Sequence, residues 1–170
     1  MPNNFKFKID IQIPPAATAK LQAATEKAFR QVASELDGRF QDAISSAVWP
    51  WPRPTKRGLS GSTLGEKAKA WKKASFNTGS PRSIVDSGDL KASHTFTING
   101  LSAEYVWTTE YAAAVHDGAR IHPWGDPKNG TVELPARPWT TAVLKGGTGA
   151  SVPVYDFASE LSKRIPKFLN

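Results

Sequence analysis

The stretch that decides the fold is "HTFTINGLSAEYVW", His94 to Trp107. Its first half alternates between large side chains and threonines, and a period of two is typical of a strand with one buried face. Asn99-Gly100 is the strongest short signal for a hairpin, because both residues tolerate a positive φ. A return strand is then predicted from about 103 to 108, and its residues on one face are Ala103, Tyr105 and Trp107. The stretch therefore predicts an antiparallel hairpin with one face toward a core.

The N-terminal part of the chain predicts a further strand and a long helix. "FKFKIDIQI", Phe5 to Ile13, alternates in the same way, and Pro14-Pro15 ends the strand because proline cannot donate to a ladder. From about Ala16 to Val48 apolar residues recur three and four positions apart, which predicts an amphipathic helix. Gly38 allows a bend in this helix, since a helical glycine costs about 1 kcal/mol relative to alanine.

Short elements follow the hairpin. Residues 111–116 predict a helix, with Gly118 as its left-handed C-terminal cap. An extended piece at 132–134 leads to a helix at 139–144, and a last amphipathic helix starts near Pro153. We therefore expect a single α+β domain over 1–170, in which a small antiparallel sheet packs against a long N-terminal helix, with short C-terminal helices and a long mobile arm.

The composition narrows the class of protein. With 170 residues, 39% of them apolar, and six tryptophans, the chain can bury a core of its own. It has no cysteine, which excludes disulfides, thiolate zinc sites and cysteine nucleophiles. No apolar run approaches the length of a membrane span and no signal-peptide core opens the chain, so we expect synthesis in a cytoplasm and no membrane contact.

The net charge of +7 is concentrated in one segment. Residues 53–82 hold one acid and eight bases, which are Arg53, Lys56, Arg57, Lys67, Lys69, Lys72, Lys73 and Arg82. All of this segment except Arg82 falls in a Pro-, Gly-, Ser- and Lys-rich arm at 49–81 that also carries Trp49, Trp51 and Trp71. Since Lys and Arg neutralise phosphates and aromatic rings stack on bases, DNA is one candidate partner of the arm. The alternative is a solvated loop that becomes ordered against a protein partner.

Patterns for catalysis and metal binding are incomplete. "GLSGS" at 58–62 does not meet the spacing of a nucleophile elbow, and "GSTLGEK" at 61–67 does not meet that of a phosphate-binding loop. His116, Asp117 and His122 are candidate metal ligands, but their spacing matches no pair on one helix face. The alternative is that they stabilise turns or an interface. We expect neither an enzyme nor a bound cofactor.

The sequence "PARPW", Pro135 to Trp139, predicts a stiff corner between a strand and a helix. Pro135 keeps the preceding residue extended, and Pro138 holds a φ that suits the first turn of a helix. The corner therefore fixes the directions of Arg137 and Trp139, residue types that dominate protein interfaces. The alternative is internal, with Trp139 in the core and Arg137 paired with an acid such as Glu110 or Asp117.

Three segments in this order resemble a known family: "SPRSIVDSGDLKAS" (Ser80–Ser93), "EYAAAVHDGAR" (Glu110–Arg120) and "LPARPWTTAVL" (Leu134–Leu144). They are similar to the tail-completion, or head–tail connector, proteins of tailed bacteriophages, also called neck or virion morphogenesis proteins. Members carry a TG-x-L-x-x-S stretch before a hairpin, a YA-x-x-x-E-x-G segment, and P-A-R-P-F before a helix. Here serine replaces the threonine of the first motif, His116 stands at the acidic position of the second, and Trp139 replaces the phenylalanine of the third.

The resemblance implies a non-enzymatic structural protein of the virion, made in the cytoplasm of a bacterial host. It implies a homo-oligomeric ring, which we expect to be a hexamer, that joins or completes head–tail attachment at the neck or proximal tail end. The partners would be other copies of the chain, the connector or adaptor of the neck and the tail tube, with a passing contact with genomic DNA. The residues predicted at such interfaces are Tyr111, His116, Arg120, Arg137, Trp139, Trp49 and Trp51. The alternative function is a DNA-binding accessory protein that uses the basic segment 53–82.

Overall fold

A computed structural model gives the fold and describes residues 4–49, 84, 88–121 and 132–169. The elements are β1 (Phe5–Asp10), α1 (Ala19–Ser45), α2 (Asp89–Ala92), β2 (His94–Asn99), β3 (Ser102–Trp107), α3 (Ala112–Asp117), β4 (Ala119–Ile121), β5 (Val132–Leu134), α4 (Trp139–Lys145), α5 (Phe157–Arg164) and a 3-10 turn (Ile165–Phe168). The chain has the predicted mixed α+β fold: a long N-terminal helix, a small antiparallel sheet and short C-terminal helices. Of the predicted arm at 49–81, only Trp49 falls within the described residues.

The main sheet has three antiparallel strands in the order β1-β3-β2. The predicted hairpin is confirmed, although its turn lies one residue later than expected, because Asn99 pairs with Ser102 and leaves 100–101 as the two-residue loop. Gly100 takes the positive φ, 59°, that this turn requires. On β3 the predicted face of Ala103, Tyr105 and Trp107 is fully buried.

Strand β1 is shorter than the sequence predicts. The alternation runs to Ile13, but the strand ends at Asp10, opposite Ser102 where β3 begins. Only one more bond follows, from the Ile11 backbone N–H to the Leu101 carbonyl (3.0 Å). Beyond it, no strand among the described residues faces 12–13, so the alternating pattern alone does not extend the ladder.

Helix α1 is continuous from Ala19 to Ser45, within the predicted range of 16–48. Thr18 caps its N-terminus by accepting a hydrogen bond from the Leu21 N–H. The helix is not interrupted at Gly38, which is exposed between the fully buried Leu36 and Phe40. In the part of the chain that the structure describes, no helix is both long and apolar enough to cross a membrane.

The core lies between α1 and the buried face of the sheet. The Phe40 ring of α1 packs edge-on against Phe7 and Tyr105, with ring centres 5.6 and 5.1 Å apart. The buried Tyr105 hydroxyl donates to the Ala33 carbonyl of α1 (2.9 Å), which satisfies its polar end. Aromatic packing and this hydrogen bond therefore fix the helix over the middle strand.

His94 lies at the border of the core. Its side chain is 9% exposed, and its Nε2 lies 3.1 Å from Asp37 Oδ1, within ion-pair distance but outside hydrogen-bond geometry. Burial lowers the pKa of His94 and raises the pKa of Asp37, while the attraction between the two groups opposes both shifts.

The C-terminal elements cover the other buried side of α1. Helix α5 starts four residues later than predicted, at Phe157, after Asp156 caps it by accepting a hydrogen bond from the Ser159 N–H (3.0 Å). Phe157 packs edge-on against Phe29 of α1, with ring centres 5.9 Å apart. The chain then tightens into the 3-10 turn, which also packs on α1.

Candidate functional site

The Pro-Arg-Pro corner, residues 135–138, connects β5 to α4 and is clamped to the end of α3. The backbone N–H of Arg137 donates a hydrogen bond that is shared between the carbonyls of Val115 (3.0 Å) and His116 (3.1 Å). The last carbonyls of a helix have no partner within it, so the corner supplies the donor that the end of α3 requires. The second and third segments of the family resemblance are therefore in direct contact.

Gly118 permits this clamp. A Cβ at this position would lie 2.9 Å from the Ala136 nitrogen and 3.0 Å from the Leu134 carbonyl oxygen. The positive φ of 80° agrees with the predicted cap, but the ψ of 157° is extended, so the prediction of a left-handed helical cap is wrong. The extended ψ sends the chain directly into β4, which pairs with β5 and brings the corner against α3.

Trp139 is the apolar centre of the corner. It is 0% exposed, and its ring packs edge-on against three other rings. The distances between ring centres are 5.3 Å to Trp107, 4.7 Å to His116 and 5.3 Å to Phe5. Arg137 is also buried, at 5% exposed. The corner thus directs both side chains into the protomer, as in the internal alternative, and neither is presented at the surface of this conformation.

His116 links α3 to α4 through both of its ring nitrogens. Nδ1 lies 2.6 Å from Asp117 Oδ1, and Nε2 lies 2.8 Å from the Thr140 hydroxyl. Because a carboxylate only accepts, we place the proton on Nδ1, so that Nε2 accepts from the hydroxyl. The Phe5 ring stacks on the imidazole, with ring centres 3.9 Å apart. Burial lowers the pKa of His116, and the hydrogen bond with Asp117 opposes this shift.

Asp117, His116 and Thr140 are connected in the order carboxylate, imidazole, hydroxyl, as in a catalytic triad. Their burial, however, suits a structural link between α3 and α4. Thr140 is 3% exposed, so a substrate carbonyl has no access to its oxygen in this conformation. Within the described ranges, no three His, Cys, Asp or Glu side chains form a metal-binding group. His122, the third candidate ligand, lies outside those ranges.

Two of the other predicted interface residues are exposed. Tyr111, at the start of α3, is 41% exposed. The Arg120 side chain is 67% exposed, and it bridges β4 to β5 through Glu133 (3.0 Å).

Trp49 is buried, since it folds back on the end of α1 and its indole N–H donates to the Ala43 carbonyl (2.7 Å). Trp51 and the whole basic segment 53–82 lie outside the described residues. As contacts for a partner, Trp49, His116, Arg137 and Trp139 are covered by the protomer itself.

A cleft that sequence reasoning missed lies along α1, where α5 and the 3-10 turn pack against it. It has a volume of about 610 Å³ and is lined by Arg30, Gln31, Ser34, Glu35, Arg164 and Lys167. We call it the cationic cleft. Glu35 accepts from Arg164 (2.7 Å) and from the Tyr155 hydroxyl (3.0 Å), and the bond with Arg164 lowers the pKa of Glu35. No signal in the sequence connects α1 with residues 120 or more positions away.

Thr140 and Phe5 were also missed as partners of His116. Thr140 stands in an ordinary helical run and Phe5 in an ordinary strand pattern.

Compared with protein-family models, with curated proteins and with solved structures, the chain has no significant match.

Proposed function

We propose that this chain is a structural protein of a tailed-phage virion that forms a ring at the neck or the proximal tail end. One observation carries the proposal. Two of the segments that resemble connector proteins, 110–120 and 134–144, meet at the clamped corner through the Arg137 N–H and the carbonyls of Val115 and His116. Their joint presence in the sequence therefore has a physical reason, since each completes the hydrogen bonding of the other.

The corner supports a role in assembly rather than in catalysis. Its Gly118 contact, its proline geometry and the His116 link make it stiff, and stiff elements lose little conformational freedom when copies associate. A closed ring also needs two different surfaces on each copy, one for each neighbour. The protomer offers an exposed Tyr111 beside α3 and, on α1, the cationic cleft.

In this proposal the ring is built from copies of the chain alone and contacts the connector on one side and the tail tube on the other. Deleting the coding sequence from the phage should leave filled heads and tails that do not join, and supplying the intact chain in trans should restore joined particles. Infectious virions of normal yield without the chain would contradict the proposal.

A second function is favoured by the position of the charge. The segment 53–82 alone carries eight bases against one acid, in a chain of net charge +7. A DNA-binding accessory protein would bind duplex DNA through this segment, with an affinity that falls steeply as salt rises because counterions are released. Fluorescence anisotropy with a labelled duplex at several salt concentrations tests this, and the absence of binding at low salt would exclude it.

A further inference from the structure

The cationic cleft has more positive charge than its own carboxylates balance. Arg164 is compensated, since it bonds to Glu35 (2.7 Å) and to Glu160 (3.3 Å). Arg30 and Lys167, on opposite walls, have no ion-pair partner among the residues that the structure describes. Both are exposed, and Gln31 and the Ser34 hydroxyl lie on the same wall as Arg30. The cleft therefore offers two uncompensated cations and polar groups to an anionic ligand.

The opposite chemistry occurs beside α3. Glu110 is exposed and has no ion-pair partner among the described residues, and Tyr111 next to it is 41% exposed. Asp117, at the end of the same helix, has a side chain that is 67% exposed. We call Glu110 and Tyr111 the acidic knob. An acid beside an exposed tyrosine suits a cationic cleft, because the carboxylate meets the cations while the ring packs on a guanidinium.

The knob and the cleft lie on different parts of the protomer. The knob precedes α3, which packs on β1 of the sheet, whereas the cleft is formed by α1 with α5 and the 3-10 turn. Because the two surfaces are built from different elements, one copy can present its knob to the cleft of a neighbouring copy. Two different and complementary surfaces are what a head-to-tail contact in a closed ring requires.

From this complementarity we infer that the cationic cleft of one copy binds the acidic knob of the next copy, with Arg30 and Lys167 facing Glu110 and Tyr111. The inference rests on the proposed ring and specifies which surfaces close it. An acidic segment of a different protein would use the same charges, so the experiment compares both sides of the contact within one chain.

Sedimentation velocity of the purified full-length chain tests the pairing. Arg30→Glu combined with Lys167→Glu reverses the cleft, and Glu110→Arg reverses the knob. Each should weaken self-association by about ten-fold or more, since opposed charges become like charges. Mixing the reversed-cleft chain with the reversed-knob chain should restore association, because in a ring where the two alternate every cleft meets a knob of opposite charge. One chain that carries all three substitutions restores the same complementarity by itself. Its association should return toward that of the unmodified chain.

Two controls carry the same changes of charge outside the cleft and the knob. Lys20→Glu combined with Lys145→Glu matches the reversed cleft, and Glu26→Arg matches the reversed knob. All three residues are exposed and do not line the cleft, so both controls should leave association unchanged. A circular dichroism melt of each variant confirms that these surface substitutions keep the fold.

The outcomes separate the inference from the function on which it rests. Rings that form equally well with a reversed cleft, or a triple variant that is no better than the reversed cleft alone, would overturn the pairing and leave the ring proposal standing. An unmodified chain that stays monomeric at every concentration would overturn both.

Discussion

At the scale of residues, Trp139 shows how a side chain typical of interfaces becomes part of a core. The prolines that flank Arg137 fix the chain direction, and the indole then fills the space between Trp107, Phe5 and His116. The sequence predicts the stiffness of the corner but not the side to which it points, because that depends on where α3 and the sheet meet it.

Trp139→Ala should therefore destabilise the protomer itself. Removing a fully buried indole leaves a cavity, and we expect a loss of about 3–5 kcal/mol in the free energy of unfolding, measured by urea denaturation. Tyr111→Ala is the comparison, because this ring is 41% exposed and should change stability by no more than about 0.5 kcal/mol while weakening assembly. Equal stability of the Trp139 variant and the unmodified chain would place the indole outside the core.

His116 should make stability depend on pH. Burial lowers the pKa of His116 in the folded state. Its contribution to the free energy of unfolding is therefore fully present above the unfolded pKa of about 6.5, and it is lost as the pH falls through the pKa of the folded state. We expect the Tm to fall between about pH 7 and pH 5, and His116→Gln to reduce this slope. His94, whose pKa burial also lowers, contributes with the same sign, so the variant should keep part of the slope.

Thr140→Val provides the control for this titration. It removes the hydroxyl that lies 2.8 Å from the imidazole, which should lower stability at every pH, but it leaves the titrating ring in place and so should retain the slope. A slope identical in the His116→Gln variant and the unmodified chain would show that another group titrates.

At the scale of elements, periodicity predicts most of the secondary structure. The period-two pattern predicts β1, β2 and β3, and the period near 3.6 predicts α1, because each reports one buried face of an element. What it misses are contacts between elements far apart in sequence. The Tyr155 hydroxyl donates a hydrogen bond to Glu35, which lies 120 positions earlier in the sequence, and the Trp49 indole N–H donates to a carbonyl at the end of α1. Neither contact is visible as a pattern in the neighbouring sequence.

Two glycines in different elements should respond in opposite ways to alanine. Gly38 lies exposed within α1, and apart from the adjacent backbone of the helix no atom lies within 4 Å of the position that a Cβ would take. Gly38→Ala should therefore raise the free energy of unfolding by about 0.5–1 kcal/mol. Gly118 has a φ of 80° and would place a Cβ 2.9 Å from the Ala136 nitrogen, so Gly118→Ala should lower it by more than about 1 kcal/mol. Denaturation midpoints measure both, and a stabilising Gly118→Ala would contradict the clamp at the corner.

At the scale of the whole molecule, the sequence predicts the fold class better than the site. Hydrophobic periodicity along the chain predicts the small sheet and the long helix that packs on it. The cationic cleft cannot be predicted in this way, because it forms only where α1 packs against α5 and the C-terminal 3-10 turn. Of the six predicted interface residues that the structure describes, four are buried within the protomer, at the corner and at the end of α1. Among the described residues, the exposed knob and the cleft are the surfaces that we propose for assembly.

The central claim is that copies of this chain close into a ring. Negative-stain electron microscopy of the purified full-length protein, at concentrations where sedimentation detects association, tests it most directly. We expect class averages of closed rings with one rotational symmetry, six-fold in our proposal, and their loss when the cleft is reversed by Arg30→Glu and Lys167→Glu. Monomers at every concentration, or open filaments without closed rings, would contradict the claim.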